Sequence, residues 1–550
     1  MNIGIDDGNI NSNSPVIIGK TYGVSGGGKV NFNDGIVKGI TGAFSSSPSS
    51  IGTDVDVVED IEMIGEDTYQ ITYATKLEVL VKNNSKEYKN LQTAINESSD
   101  GDELEIIRDV STYYDVLIPA EKKVVIDTNG YTFNAAKGIT NNGNLTIKND
   151  CTDKGTLKTT SSGSVITNNG SFTLENNNII NVLNSSYVIT NNELGTLNTK
   201  DVDINSNKYG IKNLGNMTLN NTNVTVNYDY GYAIYNNGNN SLVNINNGNY
   251  SNEADSSYTI YSNGSQSSKM IILGFIENGT ISNNNVTMEI INSNLTRNTS
   301  SKNNDISTII NTNGNLKIEN SIIDINSTFW STGYSGDVNS IFNVDGNINL
   351  VDTTLNAKSI QSNRNQLTVG LKSKMTTDIA NEIFIDNVTT NISSKQQGAS
   401  VYITGGANSS DIQIKNAKFN VNEAVTGYGI YETSTSNDFN VNLISGNIYT
   451  NATTAYGVYV DSGSLTMGIK DGDGSENATV DKENPFVKAV GTTGIGVKKN
   501  NGYFKYYDGK IMGSTNAKPD TTTDTEYNYE AVMHTDQETG YEYCVLEYMK

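Results

Sequence analysis

The residue types that carry acid–base, nucleophilic and metal chemistry are scarce in this sequence of 550 residues. His534 is its one histidine, and Cys151 and Cys544 are its two cysteines. A catalytic triad requires a base beside its nucleophile, and a structural zinc site requires about four nitrogen or sulfur ligands. These three residues therefore predict neither kind of site. We expect His534 on a surface hairpin and no disulfide between the distant cysteines.

Polysaccharide cleavage requires other groups, usually two carboxylates that face one groove. Asp324 illustrates the carboxylates of this sequence, because it is isolated among Ile, Asn and Ser and is expected to be solvated or to form a turn. Arg108 lies near a predicted cap, whereas Arg297 and Arg364 lie in polar contexts without an adjoining carboxylate cluster. The sequence predicts no catalytic residue.

An acidic, glycine-rich segment at 471–476, with the sequence DGDGSE, raises the question of calcium. Closely spaced oxygen ligands suit that cation, but the segment lacks the twelve-residue EF-hand pattern. A similar segment near the start of the chain keeps only Asp6, Asp7 and Gly8. Turn formation is the favoured interpretation, so no cofactor is predicted and calcium stays the weaker alternative.

Tyrosine side chains are the remaining candidates for binding. Five of them are Tyr228, Tyr230, Tyr232, Tyr235 and Tyr261. Tyrosines on the outside of a repetitive fold can contact sugars or proteins, whereas those on the inside fill the core. The alternation of the sequence does not distinguish the two cases, so no binding residue is assigned.

Composition narrows the class of protein. Only 35% of residues are hydrophobic and the net charge is −23, but the chain also holds 31 Tyr, 51 Gly and only 5 Pro. Disordered chains avoid aromatic residues, so a folded protein with a thin core and many turns is expected. The acidic balance argues against nucleic acid as a partner, since phosphates attract clustered Lys and Arg.

Internal repeats determine the fold prediction. A phrase of two or three polar residues, Gly and an alternating strand recurs along the chain. The glycines of the first five copies are 27, 25, 20 and 23 residues apart, at Gly143, Gly170, Gly195, Gly215 and Gly238. Later copies contain Gly314 and Gly346. A period of 20–30 residues suits one coil of three short strands and three turns.

Alternation within the phrase places the core. In Asn144-Leu145-Thr146-Ile147 we expect Leu145 and Ile147 to point inward and their neighbours outward. Asparagines inside the coils are expected to form ladders between successive turns. The sequence predicts an all-β protein, a right-handed parallel β-helix (β-solenoid), with a short capping helix at 88–98 and a C-terminal β exit segment.

The start of the predicted coils resembles a known family. A helix, the turn Asp100-Gly101-Asp102, a strand and the segment 124–131 (VVIDTNGY) look like the beginning of pectate-lyase-like β-helices of bacterial, Gram-positive-like surface proteins and adhesins. The resemblance covers 76–515. It implies the fold and an extracellular location; pectate lyases themselves hold Ca²⁺ with carboxylates and use Arg as a base, a combination not evident here.

The two ends of the chain resemble each other. Gly4–Gly8 matches 468–472, Pro15 parallels Pro485, and both copies continue into an acidic stretch and a Tyr-rich strand. We therefore predict that 1–75 holds the final coils and exit segment of a preceding module. Residues 76–515 would form the next β-helix, and 516–550 its exit segment.

These features together predict a non-catalytic cell-surface adhesin or stalk module. Its expected partners are a host or environmental glycan or surface protein, and adjacent tandem modules. The sequence contains no run of 18 apolar residues and no signal-peptide pattern. Export and anchoring signals are therefore expected outside this chain, and we do not expect this chain to insert into a membrane. A polysaccharide-cleaving β-helix enzyme and a phage tail fibre or spike are the alternatives.

Overall fold

The three-dimensional structure is a computed structural model that divides into two compact units, 1–226 and 227–550. At positions 2, 51, 60–64, 67–74 and 275–277 it describes the backbone alone. The described residues are 2–3, 15–33, 35–51, 60–64, 67–74, 80–88, 90–112, 114–160, 162–181, 186–252, 254, 258–277, 279–300, 305–328, 336–360, 366–377, 381–405, 411–435, 439–471, 479–519 and 521–549.

Strands dominate the first unit, which also contains the helix α1, Leu91–Glu97. Its strands are β1 Asn2–Ile3, β2 Val16–Gly19, β3 Tyr22–Val24, β4 Asn31–Phe32, β5 Ile36–Gly39, β6 Gly42–Phe44, β7 Ser50–Ile51, β8 Asp60–Ile64, β9 Asp67–Ala74, β10 Val81–Asn83, β11 Lys86–Tyr88, β12 Glu103–Ile106, β13 Val110–Thr112, β14 Val116–Ile118, β15 Lys123–Asp127, β16 Thr132–Ala135, β17 Ile139–Asn141, β18 Asn144–Lys148, β19 Gly155–Lys158, β20 Ile166–Asn168, β21 Ser171–Glu175, β22 Asn177–Asn181, β23 Tyr187–Asn191, β24 Thr196–Lys200, β25 Asp203–Ser206, β26 Tyr209–Asn213, β27 Asn216–Asn220 and β28 Asn223–Val226.

The second unit contains longer strands, several of which pass through a bend. They are β29 Tyr232–Asn236, β30 Leu242–Asn252, β31 Tyr258–Asn263, β32 Lys269–Glu277, β33 Thr280–Asn284, β34 Thr287–Thr299, β35 Ile306–Thr312, β36 Asn315–Glu319, β37 Ile322–Ser327, β38 Val338–Val344, β39 Asn347–Val351, β40 Thr354–Ser359, β41 Leu367–Met375, β42 Glu382–Asp386, β43 Thr389–Ser394, β44 Gln397–Gly405, β45 Asp411–Lys415, β46 Ala417–Ser434, β47 Asn440–Leu443, β48 Gly446–Val460, β49 Ser464–Met467, β50 Phe486–Val490, β51 Thr493–Lys499, β52 Tyr503–Tyr506, β53 Lys510–Gly513, β54 Asp524–Thr525, β55 Tyr529–Thr535 and β56 Glu542–Tyr548.

Three parallel ladders build the coils of the first unit. One runs through β12, β15, β18, β21, β24 and β27. A second runs through β13, β16, β19, β22, β25 and β28. A third runs through β14, β17, β20, β23 and β26. Each strand pairs with the strand three places later, so one coil holds three strands, and the predicted parallel β-helix is confirmed.

The second unit has the same three-faced organisation with wider coils. One ladder, which we call the tyrosine face, runs through β29, β31, β33, β35, β38, β41, β44, β46, β48 and β51. Strand β46 first pairs with β43 and then, past a register shift, with β44. Long strands such as β46 and β48 therefore serve two faces in succession.

Helix α1 covers an otherwise unpaired strand edge in the first unit. Asn90 begins the helix, and its side-chain oxygen accepts a hydrogen bond from the backbone N–H of Thr93 at 2.9 Å. Leu91 and Ala94 are buried. Gln92 pairs with the backbone of Leu117 in β14 through two hydrogen bonds of 2.9 Å, donating to its carbonyl and accepting from its N–H. A side-chain amide thus replaces a neighbouring strand.

The core follows the alternation expected from the sequence. Leu145 and Ile147 are fully buried, and they stack in register on Phe172 and Leu174 of the next coil. Thr146, between them, is only partly buried. Each coil therefore adds a thin layer of apolar side chains, which is consistent with the low hydrophobic content.

Asparagine ladders fill the turn at the end of the third ladder of strands. Asn141, Asn168, Asn191 and Asn213 are fully buried on successive coils. The side-chain amide of each of the first three donates to the side-chain oxygen of the next at 2.7 Å. Each side chain also bonds the backbone of its own turn, as Asn168 does to the carbonyl of Gly170 at 3.0 Å. The predicted internal ladders are confirmed.

A second ladder in the larger unit explains the recurring glycine. Asn283, Asn311 and Asn343 donate in series, at 2.7 Å to Asn311, 2.8 Å to Asn343 and 3.1 Å to the hydroxyl of Ser373. A Cβ atom on Gly346 would lie 2.2 Å from the amide nitrogen of Asn311 and 2.7 Å from the side-chain oxygen of Asn343. Only glycine leaves room for the ladder, which is why Gly follows the buried Asn in the repeated phrase.

Further turns rely on the left-handed conformation that asparagine and aspartate tolerate. Asn292, Asn320, Asp352, Asn387 and Asn416 have φ angles of 47–51° at equivalent positions of successive coils. Exposed side chains bond between coils here too, as Asn320 does to Asn292 at 2.5 Å. The high Asn content is thus required at two different turns.

The two ends of the chain share a strand order. In one, β2 pairs parallel with β5, β5 pairs antiparallel with β9, and β8 and β9 form a hairpin. In the other, β50, β53, β56 and β55 repeat these pairings. Gly35 and Gly509 have φ angles of 102° and 100° beside Pro15 and Pro485 respectively. A closing hairpin thus follows parallel coils twice in the chain.

Candidate functional site

The one histidine and the two cysteines, which the sequence singles out for nucleophilic chemistry, lie in structural surroundings. His534 lies on the β55–β56 hairpin, 3.0 Å from a carboxylate oxygen of Glu547 and stacked on Tyr543. Cys151 and Cys544 are both free thiols. Cys544 is fully buried, and burial raises the pKa of its thiol to about 12, which keeps it protonated and unreactive.

In the described part of the second unit, Arg297 and Asp324 have separate hydrogen-bond partners. Arg297 is buried in β34 and donates to the carbonyl of Ser307 at 2.7 Å. Asp324 accepts from the side chain of Asn356 at 2.6 Å, in a ladder of outward polar residues. Arg108 lies between β12 and β13 in the first unit, and Arg364 lies outside the described residues.

Two acidic clusters bear on the question of metal. The segment 472–478 lies outside the described residues, and Asp471, which precedes it, donates its backbone N–H to Glu526. In the first unit Glu103, Asp127 and Asp150 bring carboxylate oxygens within 4.8 Å of one another. Lys148 lies among them, with its ammonium 2.6 Å from Asp150 and 3.0 Å from Glu103. This ammonium offsets one of the three negative charges of the cluster and occupies the space between two of its carboxylates.

Tyrosines divide into exposed turn residues and stacked pairs. Tyr230 is 72% exposed at the turn before β29. Tyr232 and Tyr235 on β29 stack in parallel on Tyr258 and Tyr261 of β31, with ring centroids 6.2 and 5.6 Å apart. Tyr228 is also exposed, at 39%. Three of the tyrosines named from the sequence, Tyr232, Tyr235 and Tyr261, therefore belong to one half-buried cluster.

A larger aromatic cluster lies farther along the tyrosine face. We call it the tyrosine strip, and it consists of Tyr402, Tyr428, Tyr431, Tyr456 and Tyr459. Tyr402, Tyr431 and Tyr459 occupy one register position on three successive coils. Tyr428 and Tyr456 occupy a second position, three residues earlier on their strands. Ring centroids lie 4.1–6.0 Å apart across the whole cluster.

Local strand geometry brings the two columns of the strip together. The rings of each pair lie 4.1 and 5.4 Å apart although the two tyrosines are separated by two residues, and the register skips Gly429 and Gly457 between them without shifting. A Cβ atom on Gly457 would lie 2.3 Å from a methyl carbon of Val487, so glycine is required there. The repeated phrase Tyr-x-x-Tyr at 232–235, 258–261, 428–431 and 456–459 is the sequence signal for both clusters. Its two later copies carry the strip, which sequence reasoning missed.

The rings of the strip pack on one another, so several ring faces are covered within the cluster. Tyr402 and Tyr431 are stacked with an interplanar angle of 16°, so each covers a face of the other. The hydroxyl of Tyr459 accepts from the side chain of Asn500 at 2.5 Å. Lys498 places its ammonium 5.8 Å from the ring centroid of Tyr456. An amphipathic surface of phenol groups with a cation at one end can accept and donate hydrogen bonds to a polyhydroxylated ligand.

The packing of the tyrosine strip should be visible in the pKa values of its phenol groups. Burial, followed by the neighbouring Tyr402 and Tyr459, raises the pKa of Tyr431 to about 12, and burial also raises that of Tyr428. Above pH 10 the folded chain keeps the phenol protons of Tyr428 and Tyr431, whereas the unfolded chain releases them. The free energy of unfolding is therefore highest below pH 10 and decreases as the pH rises towards 12.

We expect a late tyrosinate step near pH 12 in the absorbance of the folded chain, and its absence in denaturant. Tyr431→Phe should reduce that step, and Tyr503→Phe, at an exposed position outside the strip, is the control. Coincident titration of folded and unfolded chains would contradict the packing described for the strip.

A polar groove of about 650 Å³ lies at the turns of the second unit. Asp352 and Asp386 line it, and each accepts a hydrogen bond from an asparagine of the next coil, Asn387 at 2.5 Å and Asn416 at 2.9 Å. Lys418 also lines the groove. The two carboxylates thus take part in the ladder of left-handed turns, and the groove is a consequence of coil stacking.

Comparison of the chain with protein-family models, with curated proteins and with solved structures finds no match. The fold and the strip therefore define the class of protein as a parallel β-solenoid with an external aromatic surface. Within the described parts of the chain, no helix has the length and apolar character that crossing a membrane would require.

Proposed function

We propose that this chain is a non-catalytic module of an extracellular bacterial adhesin or stalk, and that the tyrosine strip binds glycan. The observation that carries the proposal is the strip itself: four half-buried tyrosines pack against a core cluster that contains the fifth, Tyr428. Leu367, Val369 and Ala399 complete that core cluster. Outward positions elsewhere on the coils are occupied mainly by Asn, Ser, Thr and Lys, so the strip is an exception that favours recognition.

The architecture supports a role in presentation. The Asn ladders and coil-to-coil stacking give a stiff scaffold, and stiff scaffolds hold binding groups at fixed spacing. The repeated closing hairpin at the two ends favours tandem modules of the same polypeptide. Several modules would bind a repetitive glycan multivalently, which strengthens weak individual contacts. The bacterial surface location rests on the resemblance to surface β-helices.

The test is a glycan-array screen of the full chain followed by titration of each glycan that binds. Tyr431→Ser removes the central ring of the strip and is expected to weaken binding at least about tenfold, corresponding to about 1.4 kcal/mol. Tyr503→Ser is the matched control, because Tyr503 is 49% exposed and lies outside the strip. Circular dichroism checks that both variants fold.

Equal binding by Tyr431→Ser and the native chain would contradict the proposal, as would binding that Tyr503→Ser weakens equally. Tyr431→Phe separates hydroxyl recognition from aromatic contact, since it removes only the phenol oxygen. Binding to proteins but to no glycan would contradict glycan recognition and indicate a protein partner instead.

A further inference from the structure

A buried lysine in the second unit lies between two aspartates. Lys372 on β41 is 7% exposed, and its ammonium nitrogen lies 2.8 Å from Oδ2 of Asp337 and 3.1 Å from Oδ2 of Asp305. Asp337 is 8% exposed. The two aspartates precede β38 and β35, so the three residues come from three successive coils. Among the described residues, no other ion pair is so deeply enclosed on both sides.

Hydrogen bonds hold both carboxylates in place. Oδ1 of Asp337 accepts the backbone N–H of Leu367 at 2.9 Å, which leaves Oδ2 directed at the lysine. Oδ1 of Asp305 accepts the backbone N–H of Asp337 at 2.8 Å, which leaves its own Oδ2 directed at the same lysine. The ring of Phe342 covers Lys372, with the nitrogen 4.9 Å from the ring centroid. Lys372 and Asp337 are thus pre-positioned and buried, whereas Asp305 holds its place at the edge of the pair and reaches solvent.

We propose that Lys372 and Asp337 join covalently, forming a side-chain amide that ties one coil to the next. The Nζ–Cγ bond forms and the Cγ–Oδ2 bond breaks. The departing oxygen takes two protons from the lysine ammonium and leaves as water, so atoms and charge balance and no oxidant or reductant is needed. Asp305 accepts the first of these protons and passes it to the departing oxygen.

Each element of the geometry has a part in this step. A proton must move from the ammonium to Asp305 before the nitrogen can attack. Burial favours this transfer because it penalises both charges, whereas the adjacent Asp337 and Asp305 oppose it and keep the pKa of Lys372 raised. Burial also raises the pKa of Asp337, which favours protonation of its departing oxygen. The N–H of Leu367 stabilises the negative charge that develops on Oδ1 in the tetrahedral intermediate. The step is independent of glycan binding.

The test is the intact mass of the full native chain, followed by peptide mapping. We expect the mass to be lower than the sequence mass by one water, and a branched peptide that contains both Lys372 and Asp337. Lys372→Arg keeps the positive charge but removes the amine nucleophile, so its mass should equal its sequence mass. Cyclisation of an aspartate that precedes a glycine would also lower the mass by one water. That loss would persist in Lys372→Arg, so the variant distinguishes the two reactions.

Asp305→Ala tests the proton transfer. It leaves the pair of Lys372 and Asp337 in place, and we expect most of the chain to remain uncrosslinked. A cross-link that forms fully in Asp305→Ala would contradict the relay by Asp305. A native chain with the full sequence mass and separate peptides for Lys372 and Asp337 would overturn the proposal.

Discussion

Replacing Glu432 with alanine is expected to destabilise the second unit by about 3–5 kcal/mol, because it removes a buried carboxylate that orders a turn. Glu432 is fully buried at the end of β46. It accepts backbone N–H groups of the next coil, from Asp461 at 3.1 Å, Ser462 at 3.3 Å and Gly463 at 3.2 Å, and also from Ser434 on its own strand. Alanine would leave the N–H groups of Ser434, Ser462 and Gly463 without this acceptor, whereas that of Asp461 keeps its bond of 3.0 Å to the backbone carbonyl of residue 432.

The measurement is the denaturant midpoint of the full chain together with amide hydrogen exchange at 461–463. We expect faster exchange at these amides and a lower midpoint in Glu432→Ala. Glu432→Gln keeps one acceptor oxygen and should lose less stability than Glu432→Ala. The exposed Glu382→Ala provides the control. If Glu432→Ala matched this control, the carboxylate would not order the turn.

Replacing Asn311 with alanine is expected to cost about 2–4 kcal/mol, because it interrupts the buried ladder in both directions. Its side-chain oxygen accepts from Asn283 at 2.7 Å, and its amide donates to Asn343 at 2.8 Å and to the carbonyl of Gly314 at 3.0 Å. Alanine leaves the donor of Asn283 and the oxygen of Asn343 without these bonds in a fully buried turn.

Thermal and denaturant unfolding of Asn311→Ala measure this loss. Asn294→Ala is the matched control, because Asn294 is exposed on β34 and is not part of a ladder. Asn311→Asp should be worse than alanine near neutral pH, since it buries a carboxylate and removes the donor. Equal stability of Asn311→Ala and Asn294→Ala would show that the ladder contributes little.

Much of the fold follows from short-range patterns. Alternation alone places Leu145 and Ile147 inward, because the period of two is fixed by strand geometry. The phrase of Asn followed by Gly marks the end of a strand in each coil, since buried Asn needs hydrogen-bond partners and Gly makes room for them. Gly346 shows this directly by its position against two ladder asparagines. The organisation of a coil into three strands therefore follows from the repeats.

The candidate sites could not be predicted in the same way. Lys372 meets Asp337 and Asp305 because of coil lengths that vary along the chain, and single-sequence patterns do not fix those lengths. The strip depends on the local strand conformation around Gly429 and Gly457, which lie between the two columns of tyrosines. The Tyr-x-x-Tyr phrase signals each pair of rings, but not which pairs on different coils share one surface.

The most direct test of the central claim is to incubate the native chain with each glycan that it binds and to quantify new reducing ends and unsaturated ends. The account predicts that bound glycan is recovered intact, with no release above that of a heat-denatured sample. Release of new ends by the native chain, abolished by substitution of carboxylates such as Asp352 or Asp386, would contradict it and indicate a polysaccharide-cleaving enzyme.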